Sequence, residues 1–329
     1  MTPEIESSQR VSIMLPKQPE SMSSVEEFAR RVGPGAAHTL WLGQSFSLDT
    51  LMALAHLAGS GFSLPLGLGV ALTPLSSPYH AALQLRTLAQ LTGAPVSASF
   101  GTATPSAVAS LTGRAYGRPA RALEEYVSVV RSLLESGHAT LDGEYFQIDA
   151  ALNPIASNSV QPVVEVGAGV LRPAAARAAG RSADLITTWL APPTYIQNVL
   201  IEEMSKAGRR ARTVAIVPFA LARPGRTAVH QLNAAIGLHV SLPHYAEMLR
   251  LAGMDVIDKA PNALAGELRH RGVFAFGDAD TVWATVDDYF ASGVDEVVLS
   301  PAGVFETQGQ AAALHDIDDL LSSAGSRVG

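Results

Sequence analysis

Cysteine is missing from the 329-residue chain. Disulfides, iron–sulfur clusters and thiolate catalysis are thereby excluded. Lysine is nearly missing as well: Lys17, Lys206 and Lys259 stand alone, and the other basic residues are arginine. Charge of either sign is sparse, at 16% of residues, and the formal net charge is −7. Such a chain is poorly suited to a phosphate backbone, so nucleic acid is not an expected partner. There is no run of about 18 apolar residues, so no membrane span is expected. The opening "MTPEIESSQR" lacks the basic-then-apolar order of a signal peptide, and the expected location is the cytoplasm. H-E-x-x-H, clustered histidines and EF-hand spacing are absent, so no metal is expected. G-x-S-x-G is absent too, which removes the usual elbow for acyl transfer.

What is present is a hydrophobic content of 47%, enough for a large core. Short apolar runs alternate with helical patterns. "VSIML" (11–15), "TLWLG" (39–43), "LPLGLGVAL" (64–72) and "PVSASFG" (95–101) read as strands. "PVVEVG" (162–167), "ADLITTW" (183–189), "RTVAIVPFALA" (212–222) and the end of "GVDEVVLSP" (293–301) continue the series to eight. Helices are expected over 24–32 with Ser23 or Ser24 as N-cap, and over 47–59, 77–93 and 119–137; another begins near Pro173. Asp142-Gly143 marks a hairpin inside 139–148. Residues 226–270 read as a helical, irregular insertion before the last strand. Parallel strands need such crossovers, which close into a barrel or spread into an open sheet. The missing G-x-G-x-x-G disfavours the open nucleotide-binding sheet. The expectation is an α/β fold: a TIM (β/α)8 barrel forming one domain over residues 10–325, behind a disordered N-terminus (1–9).

"TLWLGQSFSLDTLMALA", "LGLGVALTPLSSPYHAALQLRTLAQLTG", "YGRPARALEEYVSVVRSLLESG", "LDGEYFQI" and "GVDEVVLSP", in this order and spacing, resemble the luciferase-like oxidoreductases. "GRPAR" followed by "EEY", and "LPHYAEMLRLAG", are most similar to the branch that uses the deazaflavin coenzyme F420. The resemblance covers residues 10–320. It implies a barrel that holds F420, or alternatively FMN, at the C-terminal strand ends, in a homodimer acting on a small-molecule or peptide substrate.

Site residues follow from the same likeness. A bulge carrying a non-proline cis peptide is implied at Gly69-Val70-Ala71, supporting the ring; two glycines relieving crowding in a barrel is the plainer account. Thr102 is implied beside them. "EVGAGVLRP" (165–173) ends a strand and opens a helix, which suits an anionic phosphate; Gly167, Ala168, Gly169 and Val170 are its expected seat. Arg172 adds a charge, or is a solvated surface residue. Gln44 is expected to orient the ring or substrate, with capping of the next helix as the alternative. Where relatives carry ionisable groups this chain has hydroxyls, Ser77 in "SSP" and Thr104 in "SFGTAT". Ser77, His80 and Trp189 are expected at the substrate, although a lone helical His is more often structural. The remaining histidines and the pair Glu124-Glu125 read as solvated helix faces.

With no acid or base evident near the ring, these residues favour hydride addition to an activated C=C bond, whose enolate-like product water can protonate. A dehydroamino acid in a peptide natural product is one acceptor that the resemblance brings forward. An FMN-dependent monooxygenase and a non-catalytic binding barrel are the alternatives.

Overall fold

The computed structural model describes residues 9–33, 37–155, 162–256 and 259–324. All but the last residue of the expected disordered N-terminus lies outside these, as does residue 325.

Short segments of three to ten residues form the strands β1 (Arg10–Met14), β2 (Leu40–Leu42), β3 (Leu66–Leu72), β4 (Val96–Gly101), β5 (His138–Asp142), β6 (Gln147–Ala151), β7 (Val164–Gly169), β8 (Leu185–Trp189), β9 (Arg212–Leu221), β10 (Ala275–Gly277) and β11 (Glu296–Ser300), most of them apolar and only the β5–β6 pair largely exposed. Eight of them pair in parallel in the order β1, β2, β3, β4, β7, β8, β9, β11, and β11 returns to β1. Ile13, for example, lies opposite Leu299 on one side and Leu40 on the other. The sheet therefore closes, as the alternating pattern predicts, into a TIM-type barrel. β9 is buried along all but its first residue, as befits a strand covered on both faces. Its upper end also pairs with β10.

Helix ends follow local chemistry. Pro78, Pro105, Pro119, Pro173, Pro243 and Pro261 open their helices, where a missing N–H costs nothing. Gly93 and Gly137 close theirs in the left-handed region, with φ of 65° and 76°. The first helix, Met22–Ala29, is capped by Ser21, whose hydroxyl accepts from the Ser24 N–H; the expected Ser23 or Ser24 cap is displaced toward the N-terminus. β5 and β6 form the expected hairpin, with Gly143–Phe146 as its connection.

Two packed zones result. A large core lies between barrel and helices, whereas Trp41, Leu185, Val214, Ile216 and Val298 fill the barrel interior. The interior is floored by ions at the strand N-termini. Arg212 donates to Glu165 and to Glu296 (2.5 Å to each), and Trp41 Nε1 and Ser12 Oγ donate to Glu296 at 2.7 and 2.6 Å. Among the described residues the insertion comprises three helices, Ala228–Val240, Pro243–Leu251 and Pro261–His270, between β9 and β10. Its root is fixed by the fully buried Asp316, which accepts from Leu221 N–H (3.0 Å), Arg223 and Arg226.

Candidate active site

Parallel strands aim their C-terminal ends at one face of a closed barrel, and side chains on the loops there can converge. At this face the register between β3 and β4 shifts between Gly69 and Ala71, and the Gly69–Val70 peptide is cis. Val70 is seated between two strand ends: a Cβ on Gly101 would stand 2.9 Å from one of its methyls, and one on Gly169 2.9 Å from the other. Gly69, Val70, Ala71 and Leu72 are all only half-buried, so the tip of β3 offers backbone and one apolar side chain to the mouth. Ser99 and Thr187 share a hydrogen bond (2.5 Å) across Gly167, where any side chain would strike Ser99.

The Gln44 amide is held at both ends. Its Oε1 accepts from Leu72 N–H (3.1 Å) and its Nε2 donates to Ser45 O (2.8 Å). It ties the loop after β2 to the bulged strand and does not cap the next helix, whose N-cap is Asp49. Thr104 is an N-cap, accepting from Ala107 N–H, and Ser77 caps helix Pro78–Thr92 through His80 N–H. The His80 ring is exposed and reaches Ser76 Oγ at 3.4 Å. Thr102 is half-buried in the loop after β4. Ala168 and Val170 turn their side chains into the outer core, so only their backbone is left for a ligand. Arg172 is exposed at the start of helix Pro173–Ser182 and has no ion-pair partner among the described residues.

The insertion alters the picture drawn from sequence. His239 and His244 were expected on solvated faces, yet both are half-buried, in a chain of ring contacts that starts at Trp189, the last residue of β8. Ring centroids stand 5.7 Å apart for Trp189 and His239, 5.4 Å for His239 and Tyr245, and 4.5 Å for His244 and Tyr245. Burial lowers the pKa of both histidines; His244 lowers that of His239 further, and Arg172 that of His244. Burial holds the Tyr245 hydroxyl well above its ordinary value, hence protonated. His239 had a signal in the sequence: it continues the face of the buried Leu232, Ala235 and Ile236 at helical spacing.

The acidic pair is the second correction. Glu125 is 2% exposed and accepts from the N–H groups of Glu144, Tyr145 and Phe146 and from Arg121 Nε, so it pins the hairpin connection. Glu124 pairs with Arg181.

Two non-glycine residues, Ala103 (φ 60°) and Leu190 (φ 62°), take left-handed conformations in the loops leaving β4 and β8. Such strain collects at functional sites. Three buried polar atoms without a partner lie on this face as well: Thr73 Oγ1 beyond β3, Trp189 Nε1, and His239 Nδ1. Buried polar groups are nearly always paired, so these three call for a ligand or water. A cavity of about 660 Å³ opens at the opposite end of the barrel, near Arg131, Asp184, Arg210 and Asp295. Its charges largely satisfy one another, Arg131 with Asp184 and Arg210 with Asp295, and among the described residues that line it none carries a comparable unpaired atom. The C-terminal mouth is therefore the better candidate.

A closed, all-parallel barrel with a glycine-rimmed C-terminal mouth and a helical insertion bent over it defines a TIM-barrel protein. The chain belongs to the luciferase-like monooxygenase family, whose model matches residues 5–296. Among solved structures, the coenzyme F420-dependent tetrahydromethanopterin reductase from Methanopyrus kandleri is similar over 96% of this chain and 99% of its own, at 17% identity and a TM-score of 0.72. EDTA monooxygenase from Chelativorans sp. BNC1 is similar over 97% and 94%, at 18% identity and a TM-score of 0.71. An F420-dependent secondary alcohol dehydrogenase bound to an F420–acetone adduct is similar over 95% and 99%, at 17% identity and a TM-score of 0.68. No curated protein matches the sequence. Likeness at these identities speaks for the shared barrel.

Proposed function

We propose that the protein is an oxidoreductase that uses reduced coenzyme F420 to add a hydride to an activated C=C bond of a small-molecule or peptide substrate. The observation that carries this reading is the neutrality of the polar groups gathered at the mouth. Gln44, Thr73, Trp189 and Tyr245 are uncharged, and His239 is driven toward its neutral form by burial. Neutral donors stabilise negative charge that develops on an acceptor. Oxidising an alcohol would instead call for a base that becomes charged as it takes the proton, and burial opposes that charge on His239. A dehydroamino acid fits this class of acceptor.

The residues fit a planar ring with an anionic tail. The half-buried tip of β3 at Gly69, Val70 and Ala71 would back the ring. The free N–H groups at the start of helix Pro173–Ser182, with unpaired Arg172, would take the phosphate. When bound, the deazaflavin supplies the hydride. Gln44 keeps the bulged strand in place, and the insertion helices limit water at the mouth.

Anaerobic titration with F420 and, separately, with FMN tests the assignment. The expected result is saturable F420 binding, weakened about tenfold in Arg172→Gln, and oxidation of the reduced coenzyme on adding an enone or dehydroamino acid. Binding of FMN alone, with oxygen uptake, would replace this reading by a monooxygenase. The reading includes a homodimer, supported by the exposed Leu83 and Leu91 two turns apart on helix Pro78–Thr92; sedimentation of the wild type against Leu83→Arg/Leu91→Arg tests it.

A further inference from the structure

Trp189, His239, Tyr245 and His244 form a continuous set of ring contacts between the end of β8 and the insertion. Each of these side chains carries a hydrogen-bonding group, and none of them makes a side-chain hydrogen bond to any described residue. The other two tryptophans show how unusual that is. Trp41 Nε1 donates to Glu296 at 2.7 Å and Trp283 Nε1 to Ser323 at 2.9 Å. Only the indole at the mouth is left unpaired, and the nearest ring to it bears the unpaired His239 Nδ1.

An indole N–H can only donate, and a protonated phenol donates readily. The missing partner is therefore an acceptor, and an oxygen that gains negative charge during reaction is the acceptor such donors serve best. We infer that the Trp189–His239–Tyr245 cluster binds the substrate through a carbonyl or carboxylate oxygen conjugated to the bond that is reduced. The identity of that oxygen rests on the redox reading above; the existence of an acceptor site does not. Trp189 Nε1 and Tyr245 Oη are the donors, and His239 completes the contact. These are binding and positioning roles, and no proton transfer is assigned to them. Because Trp189 Nε1 and His239 Nδ1 are closed off from solvent, the oxygen enters only as helix Ala228–Val240 gives way. Binding and movement of the insertion are then one event.

The test follows the indole itself. The chain has three tryptophans, so a 15N-labelled sample gives three indole N–H resonances, and Trp189→Phe identifies one of them. The probes are cinnamate, a conjugated carboxylate, and cinnamyl alcohol, which keeps the ring and the C=C bond but lacks the conjugated oxygen. Cinnamate is expected to move the Trp189 resonance saturably while those of Trp41 and Trp283 stay in place, and cinnamyl alcohol is expected to leave all three unmoved. Tyr245→Phe should weaken cinnamate binding about three- to tenfold, and His239→Ala by a similar factor. Equal shifts from both probes, or no shift at Trp189 under saturating cinnamate, would overturn the inference. The readout needs no cofactor, so it separates two failures. A Trp189 shift without turnover keeps the acceptor site and removes the reductase; turnover that Trp189→Phe and Tyr245→Phe leave unchanged does the reverse.

Discussion

Val70 has one methyl against the space over Gly101 and the other against the space over Gly169, each only large enough for hydrogen. Neither glycine has a positive φ, so alanine is barred by contact alone. Gly101→Ala is expected to destabilise the protein by about 1–3 kcal/mol, the usual cost of overpacking a fitted site. Val70→Ala in the same chain should recover most of that loss, because the residues touch and their effects do not add. Thermal melts of the two single variants and the double variant measure the coupling; simple additivity would mean that Val70 is not what fills the gap. Glu125 teaches a related lesson. It reads as a surface carboxylate, but it lies three residues after Ala122 and four before Val129, on the buried face of its helix. Its position in the apolar stripe was the available signal. What local spacing cannot supply is the partner, three N–H groups about twenty residues away.

The elements most legible in the sequence were those with local punctuation. Proline at the start and glycine just past the end bracket helices Pro78–Thr92 and Pro119–Ser136, and runs such as "AIVPFAL" announce buried strands. Helix Pro105–Thr112 and the closing helix Gln310–Ala324 were not foreseen, and the roles of Arg212, Glu165 and Glu296 were invisible. These three begin or nearly begin strands far apart in sequence, and only closure of the barrel brings them together. Their arrangement predicts a strong response to removal of the cation. Arg212→Met leaves the carboxylates buried without their partner and is expected to cost about 3–5 kcal/mol, read as a lower denaturation midpoint. Burial alone would raise the pKa of Glu165, but the Arg212 guanidinium and the Ser97 hydroxyl outweigh it and the net shift is downward. A carboxylate with a depressed folded pKa stabilises above its unfolded value, near 4.3, and that stability is lost as pH falls through the lower folded value. Glu165→Gln should therefore flatten the acid limb of the stability curve below about pH 4.3. An unchanged limb would show that Glu165 is not held as described.

At the scale of the whole molecule, the barrel and its insertion meet through groups that resist protonation. His239 and His244 are pushed below the usual imidazole value, each first by burial, then His239 by His244 and His244 by Arg172. Glu247 lies on the same helix as His244 but is committed to Arg250, at 2.8 Å, and so offers little compensation. In the unfolded chain both histidines take up a proton near pH 6.5, whereas in the folded chain they do so only at lower pH. Between those values the unfolded state binds more protons, so stability must fall as pH drops below about 6.5 and level off once the folded histidines also charge. This window opens near pH ~6.5 and that of Glu165 only near ~4.3, so on acidification the histidine effect sets in first. His38 is shifted in the same direction, by burial and by Arg10, and contributes a background that survives in a variant lacking the other two. Melting temperatures taken from pH ~7.5 down to ~5 should decline in the wild type and decline less in His239→Gln/His244→Gln. Hydrogen exchange places the effect: amides of helices Ala228–Val240 and Pro243–Leu251 should lose protection on acidification while those of β9 and β11 hold theirs. Equal loss across barrel and insertion would mean that the histidines do not govern how the insertion sits on the mouth. Loss confined to the insertion would mean that one chain carries a fixed barrel and a proton-sensitive cover, with Trp189 at the seam between them.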